Sequence, residues 1–176
     1  YWQFDEGYGT SVNDTSINQN TLTMSAARWT NSGKLGKAWD GSGAYVSRAD
    51  DADFDFAASE DFSISFWFKS DSATNDSPAA YLLTKGTVSS SGTAGYAIFS
   101  SSGSGDMRFA IDDDGDWGLN APNVLNPPDD VASSGTDIYD ATWHHVVARK
   151  TGTSRIDIFI DGQLKGSDTS ISATGT

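Results

Sequence analysis

Residues 62–69 read Phe-Ser-Ile-Ser-Phe-Trp-Phe-Lys, with large apolar side chains at every second position: Phe62, Ile64, Phe66 and Phe68. A β-strand sends successive side chains to opposite faces, so this spacing predicts a strand with one face in a core. A helix would split the same four residues between opposite sides. The period returns at residues 155–160, where Ile156, Ile158 and Ile160 point one way and Phe159 the other. Residues 146–150 and 155–160 flank Thr-Gly-Thr-Ser, which predicts a hairpin. Asp161-Gly162 is a two-residue turn signal leading into Gln163-Leu164-Lys165. Residues 96–99 and 107–111 predict a further strand pair, and 81–84 a shorter strand. No segment of helical length keeps an apolar stripe at helical spacing, so the chain is expected to be all-β.

Composition agrees with many short strands joined by many turns. The 176 residues include six Trp, six Tyr and nine Phe, enough for one packed domain over residues 1–176. The formal net charge is −13, and of the 24 acidic residues only Glu6 and Glu60 are Glu. Aspartate favours turns, so the acidity is expected at loop tips. A field of this sign argues against nucleic acid and anionic membranes as partners, and is compatible with cations and neutral glycans. No apolar run approaches the roughly 18 residues of a membrane span. There is no Cys, and the chain opens directly on Tyr-Trp-Gln-Phe, which reads as an excised or mature segment of a longer protein.

Four stretches, in order, resemble a known family. They are the opening YWQFDEGYGT with Asn13-Asp14-Thr15-Ser16; GKLGKAWDG at 33–41 with Ala44-Tyr45-Val46; DFSISFWFK at 61–69; and DATWHHVV at 140–147 with Ile158-Phe159-Ile160-Asp161-Gly162. Together they resemble the bacterial laminin G-like domains of the concanavalin A-like lectin/glucanase superfamily. The resemblance implies a two-sheet antiparallel β-sandwich, a jelly roll, here without the C-terminal strands that such domains carry. Either the sequence stops short of those strands, or another segment of the parent protein completes the sheet. The resemblance also implies that Trp143 packs inside. In a strand His144 and His145 point to opposite faces and cannot chelate one metal together, so one is expected buried and hydrogen-bonded and the other on the far surface.

Three kinds of chemistry are open to these residues. For a metal, Asp112, Asp113, Asp114 and Asp116 share one loop, but Trp117 and Asn123 stand where an EF-hand loop needs Gly and Glu. That leaves an irregular site or an acidic hairpin end. The family resemblance instead implies a structural Ca2+ at Asp5, Asp14 and Asp40. For catalysis, the Glu-x-Asp-x-x-Glu cluster of the superfamily's glycoside hydrolases is missing, and nothing pairs two carboxyls in strand register. For glycan binding, residues 112–137 hold three of the four prolines and no strand period, and such long irregular segments are often functional. They offer Trp117 as a stacking platform beside Asp116, Asn120 and Asn123, with Tyr139 closing the loop. The alternative is that Trp117 folds back as a lid on the core. Trp2, Trp39, Trp67 and Trp143 lie on strand patterns and are expected in the core.

The sequence therefore predicts a non-catalytic extracellular or cell-surface module. It would bind glycan or a cell-surface or matrix component, with Ca2+ as a structural ion and no membrane insertion by this segment. The alternative is a display or spacer domain of a pilus, fibre or cell-surface protein. A glycoside hydrolase is the third reading.

Overall fold

The computed structural model describes residues 1–71, 80–87, 92–101, 104–114 and 130–172. They form two compact units, Tyr1–Phe54 and Asp55–Thr176. The protein is all-β: among the described residues the one helical element is a 3-10 turn at Ala52–Phe54.

In the first unit, β1 (Ser11–Val12), β2 (Leu22–Met24) and β5 (Val46–Ser47) make a small antiparallel sheet. Between them, β3 (Trp29–Gly33) and β4 (Gly36–Trp39) form a hairpin. Val12 and Met24 are its buried apolar anchors. The Trp2 indole donates to the Asn20 carbonyl at 2.8 Å and stacks on Phe54, over which Arg48 also sits.

The second unit holds two four-stranded antiparallel sheets. One runs β13 (Gln163–Asp168), β12 (Arg155–Ile160), β11 (His144–Thr151), β6 (Phe62–Phe68). The other runs β10 (Asp130–Asp137), β9 (Asp106–Asp112), β8 (Gly95–Ser100), β7 (Tyr81–Lys85). The period-two reading of the sequence is realised here. Phe62, Val146, Ala148, Ile156, Ile158 and Ile160 from the first sheet meet Tyr96, Ile98, Met107, Phe109, Ile111 and Ala132 from the second in one buried cluster. Each fully buried Ile or Phe contributes about 1.5–3 kcal/mol. The arrangement is an antiparallel sandwich of the jelly-roll kind.

Three local devices shape it. The β12–β13 turn places both Asp161 (φ 52°) and Gly162 (φ 76°) in the left-handed region, as a two-residue hairpin requires. Gly166 of β13 lies so close to β10 that a Cβ there would stand 1.9 Å from the Ser133 carbonyl oxygen. That approach requires glycine at 166. β10 itself, Asp-Val-Ala-Ser-Ser-Gly-Thr-Asp, carries no apolar period. The strand occupies the end of the segment that the sequence marks as irregular, and it pairs Val131 with Ala110 and Ala132 with Phe109. The third device is Lys150, only 1% exposed, whose ammonium donates to the carbonyls of Ala58, Gly152 and Glu60 at 2.6, 2.8 and 3.2 Å.

The acidity is not confined to loop tips. Asp14, Asp106, Asp112 and Asp157 are all buried, each in or beside a strand. Asp106, for example, accepts from Arg108 and from the Ser104 and Ser133 hydroxyls, which outweigh burial and hold its carboxyl below the usual range.

Candidate functional site

The sequence-predicted glycan loop divides at the limits of the described chain. Trp117, Asp116, Asn120 and Asn123 lie outside the described residues. Tyr139 is placed: its hydroxyl donates to Ser100 Oγ at 2.7 Å, and its ring meets Phe68 edge-on at 5.6 Å. Its polar tip is thus engaged within the sandwich, where it closes the end of the core.

The predicted calcium ligands have separate local partners. Asp14 Oδ1 accepts from the Tyr1 amino group and the Ser16 N–H, and Oδ2 from the Ser16 hydroxyl and the Asn20 N–H. These donors, the amino group first, hold its carboxyl far below the usual carboxylate range. Asp40 accepts from the Ser42 N–H at 3.0 Å in an exposed turn, and Asp5 is exposed. No three acidic or histidine side chains converge as a metal-holding group among the described residues.

The two histidines lie on opposite sides of β11, as alternation requires. His144 is a clamp between two turns. Its Nδ1 meets Asp161 Oδ2 at 2.8 Å and its Nε2 meets Asp140 Oδ1 at 3.1 Å. Asp161 also accepts the His145 N–H at 2.9 Å, and Asp140 accepts the Thr142 N–H and hydroxyl. Burial works against a charged His144, but the two carboxylates outweigh it and raise its pKa above 6.5. Asp140 is pushed down to about 2, by Thr142 first and then by His144. These groups hold the fold together.

His145 faces outward, and with it opens the most distinctive surface of the second unit. Alternation that buries Phe66 and Phe68 turns Trp67 away from the core, where it is 41% exposed. The expectation that Trp67 is a core residue is therefore corrected: its strand register sets it on the far face of β6. Trp143 is half-buried and is not among the side chains packed on the main core cluster.

The outward residues form rows across the sheet. Trp67 stands opposite His145, with ring centroids 5.1 Å apart, and His145 Nε2 meets Ser65 Oγ at 2.8 Å. In the next row Ser65, Val147, Phe159 and Leu164 pair across all four strands. Leu164 is 51% exposed. The row after that is Ser63, Arg149, Asp157 and Ser167. The Arg149 guanidinium lies 5.1 Å over the Phe159 ring, joining the two rows. Asp157 is fully buried beneath Arg149 and Arg155. Burial opposes its charge, but Ser167, Arg155 and Arg149 more than offset this and hold its carboxyl below the usual range.

An exposed Trp beside an apolar row, rimmed by hydroxyls and guanidinium groups, is the pattern of a binding surface. In the first unit a smaller recess of about 140 Å³ is lined by Glu6, Tyr8, Gly9, Thr10, Ser11 and Asn13. There Glu6 Oε1 accepts the Asn13 N–H at 2.6 Å.

A two-sheet antiparallel sandwich with an open aromatic face is the class that fold and surface define. The family model that matches, a laminin G type described as the Concanavalin A-like lectin/glucanases superfamily, spans residues 40–176. The chain belongs to that family. Among curated protein sequences none matches it. Among solved structures it is similar to the binding domain of Paraclostridial Mosquitocidal Protein 1, at 13% identity and a TM-score of 0.59, over 99% of this chain and 42% of that one. It also matches the botulinum neurotoxin serotype C1 binding domain, at 13% identity and a TM-score of 0.44, over 95% of this chain and 35% of that one. The chain thus spans less than half of either structure. At these identities the likeness is one of fold, and one fold serves many functions.

Proposed function

We propose that the chain is a non-catalytic carbohydrate-binding module of a larger secreted or cell-surface protein. The observation that carries this reading is Trp67, held 41% exposed on the outer face of β6 against His145. A sugar ring stacks its apolar C–H face on such an indole while its hydroxyls bond neighbouring polar groups, here Ser65 and His145. The Trp117 loop with Asp116, Asn120 and Asn123 is a second proposed contact for the same ligand class.

A polysaccharide and glycan-array screen tests this, with Trp67→Ala and Trp117→Ala run in parallel. Binding that Trp67→Ala abolishes supports the sheet face. Binding lost only in Trp117→Ala moves the site to the loop. No binding to any glycan overturns the reading in favour of a spacer domain. Repeating the wild-type measurement in chelator decides whether Ca2+ takes part.

A further inference from the structure

We propose that the ligand of this sheet face is an acidic polysaccharide bearing uronate carboxylates, a refinement that rests on the carbohydrate-binding reading above. The chain is strongly acidic, with eleven basic residues against 24 acidic ones. The outer face of the β13–β12–β11–β6 sheet runs against that balance. Two arginines share the single carboxylate of Asp157 in the row beside Phe159. Arg149 spends Nε and Nη2 on Asp157 Oδ2, at 3.2 and 2.6 Å. Arg155 spends Nε on Asp157 Oδ1 at 2.9 Å, and Nη2 on Oδ1 and on Ser167 Oγ. Neither Nη1 has a hydrogen-bond partner among the described residues, and the two side chains are 46% and 35% exposed. Meanwhile the Asp157 carboxylate is fully buried and cannot meet an incoming anion.

The geometry places this positive edge directly against the aromatic platform. Arg149 is stacked on Phe159, and Phe159 shares its row with Val147 and Leu164 one residue pair away from Trp67. A sugar stacked on the apolar row would carry a ring carboxylate to the guanidinium row. A planar guanidinium matches a carboxylate better than it matches a hydroxyl, through paired charge-assisted hydrogen bonds. At physiological salt, charges beyond about 8 Å are largely screened, so the local arginines decide the contact while the acidic remainder slows encounter.

The test is isothermal titration of the protein with polygalacturonate and with the same polymer fully methyl-esterified, which removes the charge and keeps the backbone. We expect the free acid to bind and the ester to bind about tenfold more weakly or worse, the loss of a charge-assisted hydrogen bond. Arg149→Gln should erase that difference. It leaves Arg155 on Asp157, so the fold has a remaining partner for the buried carboxylate. Trp67→Ala should weaken both polymers alike. Equal binding of acid and ester overturns the acidic-ligand inference while the carbohydrate reading stands. Binding of dextran sulfate as tight as polygalacturonate, with the same Arg149 dependence, overturns the choice of carboxylate over sulfate. Failure of these polymers and of every neutral polysaccharide overturns the carbohydrate reading itself.

Discussion

Lys150→Met gives a sharp test of how the sandwich closes. Methionine keeps most of the buried stem and removes only the ammonium. That ammonium ties the carbonyls of Ala58 and Gly152 at 2.6 and 2.8 Å, and that of Glu60 at 3.2 Å, across a side chain that is 1% exposed. Hydrogen bonds to a charged group contribute about 1.5–3 kcal/mol each, so the two short ones amount to roughly 3–6 kcal/mol. Against this stands the cost of burying the charge, which pushes the Lys150 ammonium below the ordinary lysine range despite the pull of Asp61 and Glu60. Relieving that cost returns part of the loss, and leaves a net destabilisation of about 2–4 kcal/mol. Urea unfolding followed by tryptophan fluorescence should show a lower midpoint with an unchanged slope. A change below about 1 kcal/mol would mean that water replaces the ammonium, and that Lys150 is not the tie between residues 58–60 and the β11–β12 turn.

Three further outcomes follow from the same geometry. Gly166→Ala puts a Cβ 1.9 Å from the Ser133 carbonyl, so β13 or β10 must shift; the expected cost is about 1–3 kcal/mol in urea unfolding, and a neutral result would remove the close approach as the reason for glycine at 166. His144 has a folded pKa raised above 6.5, so its clamp stabilises fully below pH 6.5 and is lost as pH rises through the raised value; thermal melts should fall from pH 6 to pH 8, and His144→Gln should flatten that slope. Trp67→Ser should leave stability within about 1 kcal/mol, since the indole is turned outward and is 41% exposed; a larger loss would return Trp67 to a structural role.

What the sequence disclosed follows from how strictly each strand alternates. Residues 62–68 and 156–160 alternate without interruption, and both became strands of one sheet, β6 at its edge and β12 inside it, with their inward faces in one core. Asp161-Gly162 names its own turn, because only a few residues accept two left-handed conformations in a row. β10 was hidden because Asp-Val-Ala-Ser-Ser-Gly-Thr-Asp carries no apolar period, and its place is set by pairing with β9. The hairpin of β3 and β4 was hidden for a similar reason: Trp-Thr-Asn-Ser-Gly carries no apolar period, and its pairing shifts register between Thr30 and Gly33.

The site was legible only in part. The register of residues 62–68 already turns Trp67 away from Phe66 and Phe68; the general tendency of Trp to be buried obscured that signal. The arginine pair over Asp157 arises from two strands and becomes visible only once Arg149 and Asp157 are paired across the sheet. The Asp140–His144–Asp161 clamp joins two turns through one side chain, and no spacing rule predicts it.

The decisive measurement is a heteronuclear NMR titration of the assigned protein with a bound oligosaccharide. The account predicts amide and indole shifts centred on Ser65, Trp67, His145, Val147, Arg149, Phe159 and Leu164, the residues that alternation turns outward on one sheet. Shifts gathered elsewhere, with the Trp67 indole signal unmoved at saturation, would contradict it.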